Sequence, residues 1–387
     1  MKIVHITTTS PFSEKYAYQE NLLAHYHKKM GHEVTIITSI YSSVALDQRE
    51  STGDSLLDDG TKVIRLPLLF NSKVAYEHLY LVKGLYNILE REKPDLVFAH
   101  GIGSLNYKCL NKIKRKYPSI NIVMDNHADY INSLHSPITK FLHKIIYRYY
   151  LVYPLIKSVN WFYGVTPSRC VFLRDVYGVP EDKIKLLVMG ADDEKMFEDK
   201  REQLKYEVRS CYNIKDNDFL LVTGGKIDKL KNIHVLAHAV NNLNRKDVKL
   251  IVFGKINEDV KPLFEKEISE QVITIGWVNS DKVYKYFYAA DLVIFPGLHS
   301  VLWEQAIASK VPCAFSKMEG FEHLCVNNNC ILMTGKDSCY YESLITNLLN
   351  NPLKYTTLKE NARSPLLEQF YYSRIALQVL KDCGMNQ

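Results

Sequence analysis

Short apolar runs alternate with amphipathic stretches along the first half of the chain. Short runs of mostly apolar residues are typical of buried strands, and they occur at residues 3–6, 34–38, 96–99, 121–124 and 184–188. Apolar residues at helical spacing predict helices over residues 18–30, 76–92, 105–117 and 167–178. A stretch without a regular pattern contains Gly53 and Gly60. Because strands and helices alternate, we expect a parallel sheet with helices on both faces.

The alternation resumes after a polar run over residues 199–218, which we interpret as a connection between domains. Strands are predicted over residues 219–222, 249–253, 271–275, 292–295 and 312–315, and helices over 281–290, 300–309 and 366–382. At 387 residues the chain exceeds what one core usually supports. The expected fold is therefore α/β, with two facing Rossmann-like, doubly wound domains over residues 1–198 and 199–365 and a ligand cleft between them. The C-terminal helix, within residues 366–387, is a candidate to pack back on the first domain.

The turn after the strand at 219–222 carries the strongest local signal. Gly224 and Gly225 end the strand, and Lys226, Lys229 and Lys231 crowd the turn before a helix. Adjacent glycines let a ligand approach the backbone, and a helix N-terminus offers unpaired N–H groups to an anion. The turn therefore favours a diphosphate, and an ordinary strand–helix turn with solvated lysines is the alternative.

Composition limits the classes of function. Apolar residues make up 47% of the chain and charged residues 24%, as in soluble globular proteins, and the net charge of +6 suits phosphorylated ligands or anionic lipid better than nucleic acid. The eight cysteines show no CxxC pair and no metal-ligand spacing, which is typical of free thiols in a reducing compartment. The chain opens on a strand pattern rather than a signal sequence, and no apolar run approaches the ~20 residues of a membrane span. We therefore expect a cytoplasmic protein without a metal site, in which Asp216-Asn217-Asp218 is a turn.

Residues 136–163 are both basic and aromatic. Lys140, Lys144, Arg148 and Lys157 are interleaved with large apolar side chains, and Pro154 should kink or end a helix there. One hypothesis is a surface at residues 138–160 that contacts the inner face of the cell membrane or a lipid-linked acceptor. The other is a core helix whose lysines extend to solvent. The pattern leaves both open.

Several motifs together resemble one enzyme family. They are KMGHEV at 29–34, GVPEDKI at 178–184, MGAD at 189–192, GK at 225–226 with KN at 231–232, GWV at 276–278, ADLVIFP at 290–296 and WEQA at 303–306. With them the whole chain resembles the retaining glycosyltransferases of family 4, which have the GT-B architecture. The resemblance implies a nucleotide-sugar donor, which is a substrate rather than a cofactor, and a saccharide or lipid-linked acceptor. It also implies metal-independent transfer and a role in cell-surface polysaccharide or glycolipid biosynthesis.

The resemblance assigns the diphosphate turn to the donor. Lys226 and Lys231, with the amides of Gly224 and Gly225, would stabilise the negative charge that develops on the leaving diphosphate. Family members commonly place arginine before the later lysine, and this sequence has Lys226 there. An ammonium thus replaces a guanidinium that could form two parallel hydrogen bonds to a phosphate. The backbone of Gly276, Trp277 and Val278 would bind the nucleobase.

The sequence departs from the family at its paired glutamates. The family separates two glutamates by seven residues, and the position of the first one is occupied here by Pro296. The loop before Glu304 is also too short for the usual Glu-Gly-Phe-Gly turn. His299 and Ser300 are the polar side chains left to contact a donor sugar. Glu304 would accept hydrogen bonds from the ribose hydroxyls, and a glutamate that merely stabilises a helix N-terminus is the alternative.

The first half contributes His127, at a strand end, which resembles the family histidine that contacts the sugar near its reacting carbon; a structural histidine is the alternative. Ser10 and Phe12, in the loop over residues 7–15, are expected on the acceptor side. No protein nucleophile is evident, and the resemblance implies same-face attack in which a donor phosphate oxygen takes the acceptor proton. Pro296 and Lys226 keep a second hypothesis open, a catalytically silent GT-B protein that serves as a partner or regulatory subunit.

Overall fold

The structure, a computed structural model, describes residues 1–385. These residues form two compact units. The first consists of Met1–Val188 and the chain from Tyr372 onward, and the second of Met189–Tyr371. Each unit is a Rossmann-like α/β domain built on a mainly parallel sheet, which confirms the predicted fold class.

The sheet of the first unit has eight strands within the described residues, in the order β3-β4-β2-β1-β5-β6-β7-β8. The strands are β1 (Lys2–Ile6), β2 (Glu33–Ser39), β3 (Gly53–Leu56), β4 (Lys62–Leu66), β5 (Leu96–Ala99), β6 (Asn121–Asn126), β7 (Trp161–Gly164) and β8 (Ile184–Leu186). β3 runs antiparallel to β4, and the other neighbours are parallel. Because β5 and β6 are parallel neighbours, the residues that follow them meet at one edge of the sheet.

The helices before residue 188 are α1 (Gln19–Lys29), α2 (Lys73–Leu79), α3 (Leu85–Glu92), α4 (Cys109–Lys116), α5 (Tyr130–Ser133), α6 (Pro137–Phe141) and α7 (Pro167–Asp175). α6 continues as a π-helix, Leu142–Val152, and a 3-10 turn, Tyr153–Leu155. The prediction of a single helix over 76–92 is wrong, because two helices, α2 and α3, occupy this region. Tyr80 (φ 50°) and Gly84 (φ 83°) adopt left-handed backbone conformations that end α2 and precede α3.

The sheet of the second unit has six parallel strands among the described residues, in the order β11-β10-β9-β12-β13-β14. The strands are β9 (Phe219–Gly224), β10 (Val248–Phe253), β11 (Val272–Gly276), β12 (Leu292–Phe295), β13 (Cys313–Ser316) and β14 (Cys330–Met333). The helices are α8 (Arg201–Cys211), α9 (Ile233–Asn242), α10 (Lys261–Glu265), α11 (Val283–Ala289), α12 (Leu302–Ala308), α13 (Ser338–Asn350) and α14 (Pro352–Asn361). β9 lies in the middle of the sheet and is buried throughout, which explains the consecutive apolar residues from Phe219 to Val222.

The polar run over 199–218 is not a linker. It contains α8, whose Arg209 is 4% exposed and donates to the carbonyls of Ala289 (3.0 Å), Lys215 (2.7 Å) and Asp218 (2.7 Å). A buried guanidinium with these acceptors ties α8 to the second unit. The Asp218 carboxylate accepts from the Lys215 amide at 2.8 Å, so the Asp216-Asn217-Asp218 triplet is a turn, as predicted.

The last helix, α15 (Tyr372–Asp382), belongs to the first unit. The indole of Trp161 donates to the Asp382 carbonyl at 2.7 Å, and Lys185 contacts the Asp382 carboxylate at 2.6 Å. Gln378 donates to the Leu186 carbonyl at 2.9 Å. α15 is therefore held against the β7–β8 side of the sheet.

Candidate active site

The turn after β9 is shaped by close backbone contacts. Gly225 has φ 104° and Gly254 has φ 126°, so both adopt conformations that favour glycine. A Cβ on Gly254 would lie 1.8 Å from the Gly225 carbonyl oxygen, and one on Gly224 would meet the Phe253 ring at 2.4 Å. The ends of β9 and β10 thus approach each other more closely than side chains permit.

The lysines of this turn have different surroundings. Lys226 is 64% exposed and lies 3.3 Å from the Asp228 carboxylate. Lys231 is half-buried, and its Nζ donates to the carbonyls of Leu298 (2.6 Å) and His299 (2.9 Å). Burial lowers the pKa of Lys231 from its ordinary value. An ammonium has three N–H donors, so one donor of Lys231 remains for a phosphate oxygen.

The short loop from Pro296 to Ser300 packs on the lysine turn. The amide of Leu298 donates to the Leu230 carbonyl at 3.1 Å, and a Cβ on Gly297 would lie 2.3 Å from the same oxygen. The structure therefore leaves no room for a side chain at position 297. This contact fixes where His299 stands relative to Lys231.

His299 and Glu304 form a buried pair that the sequence did not predict. The Nε2 of His299 lies 2.8 Å and 3.0 Å from the two carboxylate oxygens of Glu304. The side chains are 8% and 0% exposed. Glu304 is thus engaged by His299 rather than facing solvent, and it lies in the first turn of α12, which begins at Leu302. The assignment of Glu304 to ribose binding stays a prediction.

The other donor-side residues are accessible. Gly276 has φ 71° at the end of β11, and its carbonyl accepts from the Gly254 amide at 2.7 Å. Trp277 is 73% exposed, Val278 is half-buried and Ser300 is half-buried. The structure therefore brings Gly276 to the glycine turn of β9 and β10, while the Trp277 ring extends into solvent.

In the first unit, His127 follows β6 and is supported by Asp125. The His127 side chain is 44% exposed, and its Nε2 lies 3.7 Å from Oδ1 of the fully buried Asp125. Desolvation lowers the pKa of His127, but the nearby negative charge of Asp125 outweighs it, so the pKa is raised above its ordinary value. Asp125 also accepts from the Gly101 amide at 2.6 Å and contacts His100 at 2.7 Å. His100 and His127 follow the neighbouring strands β5 and β6, and Asp125 lies near the end of β6, so the sequence indicates that they are close, but the hydrogen bonds of Asp125 could not be predicted.

The two residues predicted on the acceptor side, Ser10 and Phe12 in the loop after β1, have different surroundings. The Ser10 hydroxyl is half-buried and donates to Glu20 at 3.0 Å. Phe12 is 2% exposed and packs beneath Arg65, which also donates to its carbonyl at 3.2 Å. The Phe12 ring is therefore part of the core, and Ser10 is the more accessible of the two.

Residues 137–157 form an exposed helical ridge. Its outward side chains include Ile138 (72% exposed), Phe141 (58%), Tyr150 (57%) and Tyr153 (66%), while Leu151 is buried. Lys140, Lys144 and Lys157 are exposed along the same segment. Among the described residues, no helix has the length and hydropathy needed to cross a bilayer. The core-helix hypothesis is wrong for the outward side chains.

Two family models match the chain, and together they span most of it. The model for group 1 glycosyl transferases matches residues 205–364. The model for glycosyltransferase family 4 matches residues 20–195.

Individual proteins are similar at low identity over nearly the whole chain. An uncharacterized glycosyltransferase of Methanocaldococcus jannaschii is 20% identical over 369 residues, which cover 90% of this chain and 89% of that protein. The UDP-Gal:alpha-D-GlcNAc-diphosphoundecaprenol alpha-1,3-galactosyltransferase of Escherichia coli is 22% identical over 337 residues, 81% of each chain. The solved structure of Anabaena HepE in complex with UDP has a TM-score of 0.70 at 17% identity and covers 100% of both chains.

The two Rossmann-like units define a protein of the GT-B fold class. The chain belongs to glycosyltransferase family 4, a family of retaining enzymes.

Proposed function

We propose that this glycosyltransferase moves a sugar from a uridine diphosphate sugar to a lipid-linked saccharide, in the synthesis of a cell-surface polysaccharide or glycolipid. The observation that carries the proposal is the glycine and lysine turn after β9, in which Lys231 is held by the carbonyls of Leu298 and His299. The Escherichia coli relative supports both the base and the lipid diphosphate, because its name gives UDP-Gal as donor and a diphosphoundecaprenol acceptor. The HepE structures, with UDP and with UDP-glucose, support the base.

In this proposal the protein stabilises a leaving diphosphate rather than forming a covalent intermediate. Lys226 and Lys231 supply positive charge at the oxygens where negative charge develops. The Gly225 amide, which the sequence suggested as a further donor, instead donates to the Phe253 carbonyl at 2.9 Å. His127, more readily protonated because of Asp125, stabilises the negative charge that develops on the leaving diphosphate next to the reacting carbon. A donor phosphate oxygen takes the acceptor proton as the acceptor attacks from the same face. We propose that transfer needs no divalent cation.

A panel of nucleotide sugars tests the donor class. Uridine diphosphate and UDP-sugars should raise the unfolding midpoint of the purified protein more than guanosine nucleotides do, because a ligand of the folded state stabilises it. Addition of a lipid diphosphate saccharide should then give UDP release that persists in EDTA. Saturable nucleotide binding without release across the panel would instead favour the silent partner subunit.

The His299–Glu304 pair gives the short loop a role in donor binding. We propose that His299 contacts the donor in place of the missing first glutamate, and that Glu304 positions its ring through the 2.8 Å contact. Lys231, which donates to the His299 carbonyl, fixes the backbone of the same residue. Donor affinity should therefore depend on all three side chains.

Replacing Glu304 with glutamine should weaken donor binding by about 1.5–3 kcal/mol, because the hydrogen bond from His299 loses its charged acceptor. Calorimetric titration with UDP-sugar measures the change. The matched control is Glu319→Gln, which removes an exposed carboxylate of the same unit. In a double-mutant cycle, His299→Ala and Glu304→Gln should be strongly non-additive. Unchanged donor affinity in E304Q would assign Glu304 to stabilising α12 alone.

The exposed helical ridge at 137–157 is the proposed contact with the acceptor's membrane. Large apolar side chains alternate there with lysines, as on surfaces that lie in a bilayer interface. Each basic residue near an anionic surface contributes about 1 kcal/mol and loses this contribution beyond a Debye length. The ridge could therefore hold the protein reversibly at a membrane that carries lipid-linked saccharides.

Sedimentation with anionic vesicles should show binding that falls as salt rises. Changing Lys140, Lys144 and Lys157 to glutamine should lower the bound fraction further, whereas Lys83, Lys93 and Lys112, also exposed, serve as a control of equal charge. Arg148 is left unchanged because it donates to the Asp175 carbonyl at 3.5 Å. Equal losses in the two triple variants would show that net charge, and not the ridge, governs binding.

A further inference from the structure

A chain of buried imidazoles crosses the first unit. His27 of α1 contacts the Ala376 carbonyl of α15 at 3.0 Å through Nε2, and its Nδ1 lies 3.0 Å from Nε2 of His5 in β1. The Nδ1 of His5 lies 3.0 Å from Nε2 of His100, and Nδ1 of His100 lies 2.7 Å from Asp125. The four residues, His5, His27, His100 and Asp125, are 0% to 3% exposed. Four hydrogen bonds therefore run in series from a carbonyl oxygen to a carboxylate.

The two ends of this chain fix how many protons it contains. A carbonyl and a carboxylate are both acceptors, so each of the four bonds must take its proton from an imidazole nitrogen. Three neutral imidazoles carry three N–H groups, which is one too few. If a proton were missing, two bare nitrogens would face each other at 3.0 Å in a buried site, at the cost of an unsatisfied polar contact.

We propose that the His5–His27–His100 chain holds one proton beyond its three neutral rings, and that this proton makes His100 an imidazolium paired with the Asp125 carboxylate. The geometry places the cation at His100, next to the carboxylate and 4.2 Å from the Phe98 ring, which is stacked on it. His5 and His27 are then neutral, and both carry their proton on Nε2. Burial lowers the pKa of His27 to about 4 and the pKa of His5 well below its ordinary value, in agreement with two neutral rings.

The groups around the chain agree with this charge pattern. Asp125 contacts His100 from β6, and His127 contacts the other oxygen of Asp125. The His32 ring, after α1, lies 6.5 Å from His27, and the Tyr107 hydroxyl donates to the His100 carbonyl. Burial alone would raise the pKa of Asp125, but the charge and hydrogen bond of His100 outweigh it, so this pKa is lowered.

The consequence is that the chain of hydrogen bonds links α15 to Asp125, the carboxylate that contacts His127. Ala376 orients His27, and the chain sets both the charge and the orientation of Asp125, which is a positioning residue for His127. This last step rests on the proposed function of His127. The protonation of His100 does not depend on it.

Nuclear magnetic resonance of the full-length protein, labelled with ¹⁵N in its histidine rings, tests the proposal near neutral pH. Two-bond correlations distinguish protonated from bare ring nitrogens, and His100→Gln assigns the His100 signals. Both nitrogens of His100 should be protonated, with His5 and His27 in the Nε2–H form. A His100 ring with one bare nitrogen would overturn the proposal, whether the missing proton is on Asp125 or absent.

Two substitutions at His27 provide matched variants. His27→Gln can accept from His5 and donate to Ala376, so it keeps the proton count, and His100 should stay doubly protonated. His27→Leu lets His5 change tautomer and donate to His100, so His100 should become neutral. A doubly protonated His100 in the leucine variant would contradict the count, and if that variant does not fold, the wild-type and glutamine spectra still decide.

The activity readout separates this inference from the proposed function. Loss of the His100 cation should raise the pKa of His127 and shift the alkaline limb of the rate profile to higher pH in H27L but not in H27Q. If the spectra agree with the proposal but the pH–rate profile does not shift, the extra proton on His100 is supported and its proposed effect on His127 is wrong.

Discussion

Replacement of Lys231 by alanine should lower kcat by about 10²–10³-fold, which corresponds to roughly 2.7–4 kcal/mol of transition-state stabilisation. Two effects combine in this loss. The remaining N–H donor of Lys231 would no longer meet the leaving diphosphate, and the carbonyls of Leu298 and His299 would lose the ammonium that holds their loop. Steady-state rates of UDP release measure the effect.

Lys229→Ala is the matched control, because Lys229 is an exposed lysine of the same turn. Its rate should stay near that of the wild type. Affinity for UDP should fall in K231A while affinity for uridine, which has no phosphate, is retained. Wild-type turnover in K231A would remove Lys231 from the site, and an equal loss of uridine binding would point to collapse of the loop instead.

Replacement of His127 by alanine should lower kcat by about 10²-fold or more, with a smaller change in donor KM, because a cation is lost where negative charge develops on the leaving diphosphate. The sign of the pH dependence follows from the raised pKa of His127. The imidazolium persists above pH 6.5, so the wild-type rate should fall as pH rises through the raised value, and the variant should lack this limb.

The exposed His135 provides the control for this substitution. His135→Ala should keep both the rate and the alkaline limb. A wild-type rate in H127A would make His127 a structural residue, and an alkaline limb retained in H127A would show that another group titrates.

Much of the fold could be predicted because burial gives a simple pattern. β9 is a central strand of a parallel sheet, so its run of apolar residues ends abruptly at Gly224, where the backbone turns. Strands away from the centre of the sheet were harder to predict from the sequence. β3 is exposed along its whole length and so lacks the pattern of a buried run. β7 is mostly buried, but it lies within a long aromatic segment in which its bounds are not marked.

Polar residues misled the sequence prediction where their partners are distant in the chain. The run that contains α8 has the polar composition of a linker, and nothing in its sequence indicates that Arg209 is buried against the Ala289 carbonyl. The His299–Glu304 pair depends on a short loop whose path is set by Lys231. The sequence indicates which residues are candidates for a site, whereas hydrogen bonds between separate elements can be identified only in the folded structure.

The anomeric configuration of the product tests the central claim most directly. The purified protein is incubated with UDP-sugars and a lipid diphosphate saccharide, and the new glycosidic linkage is followed by proton nuclear magnetic resonance. A family 4 enzyme acting on a UDP-sugar should give a product whose anomeric configuration is that of the donor. An inverted linkage, or donor binding with no new linkage for any sugar tested, would contradict the proposed function.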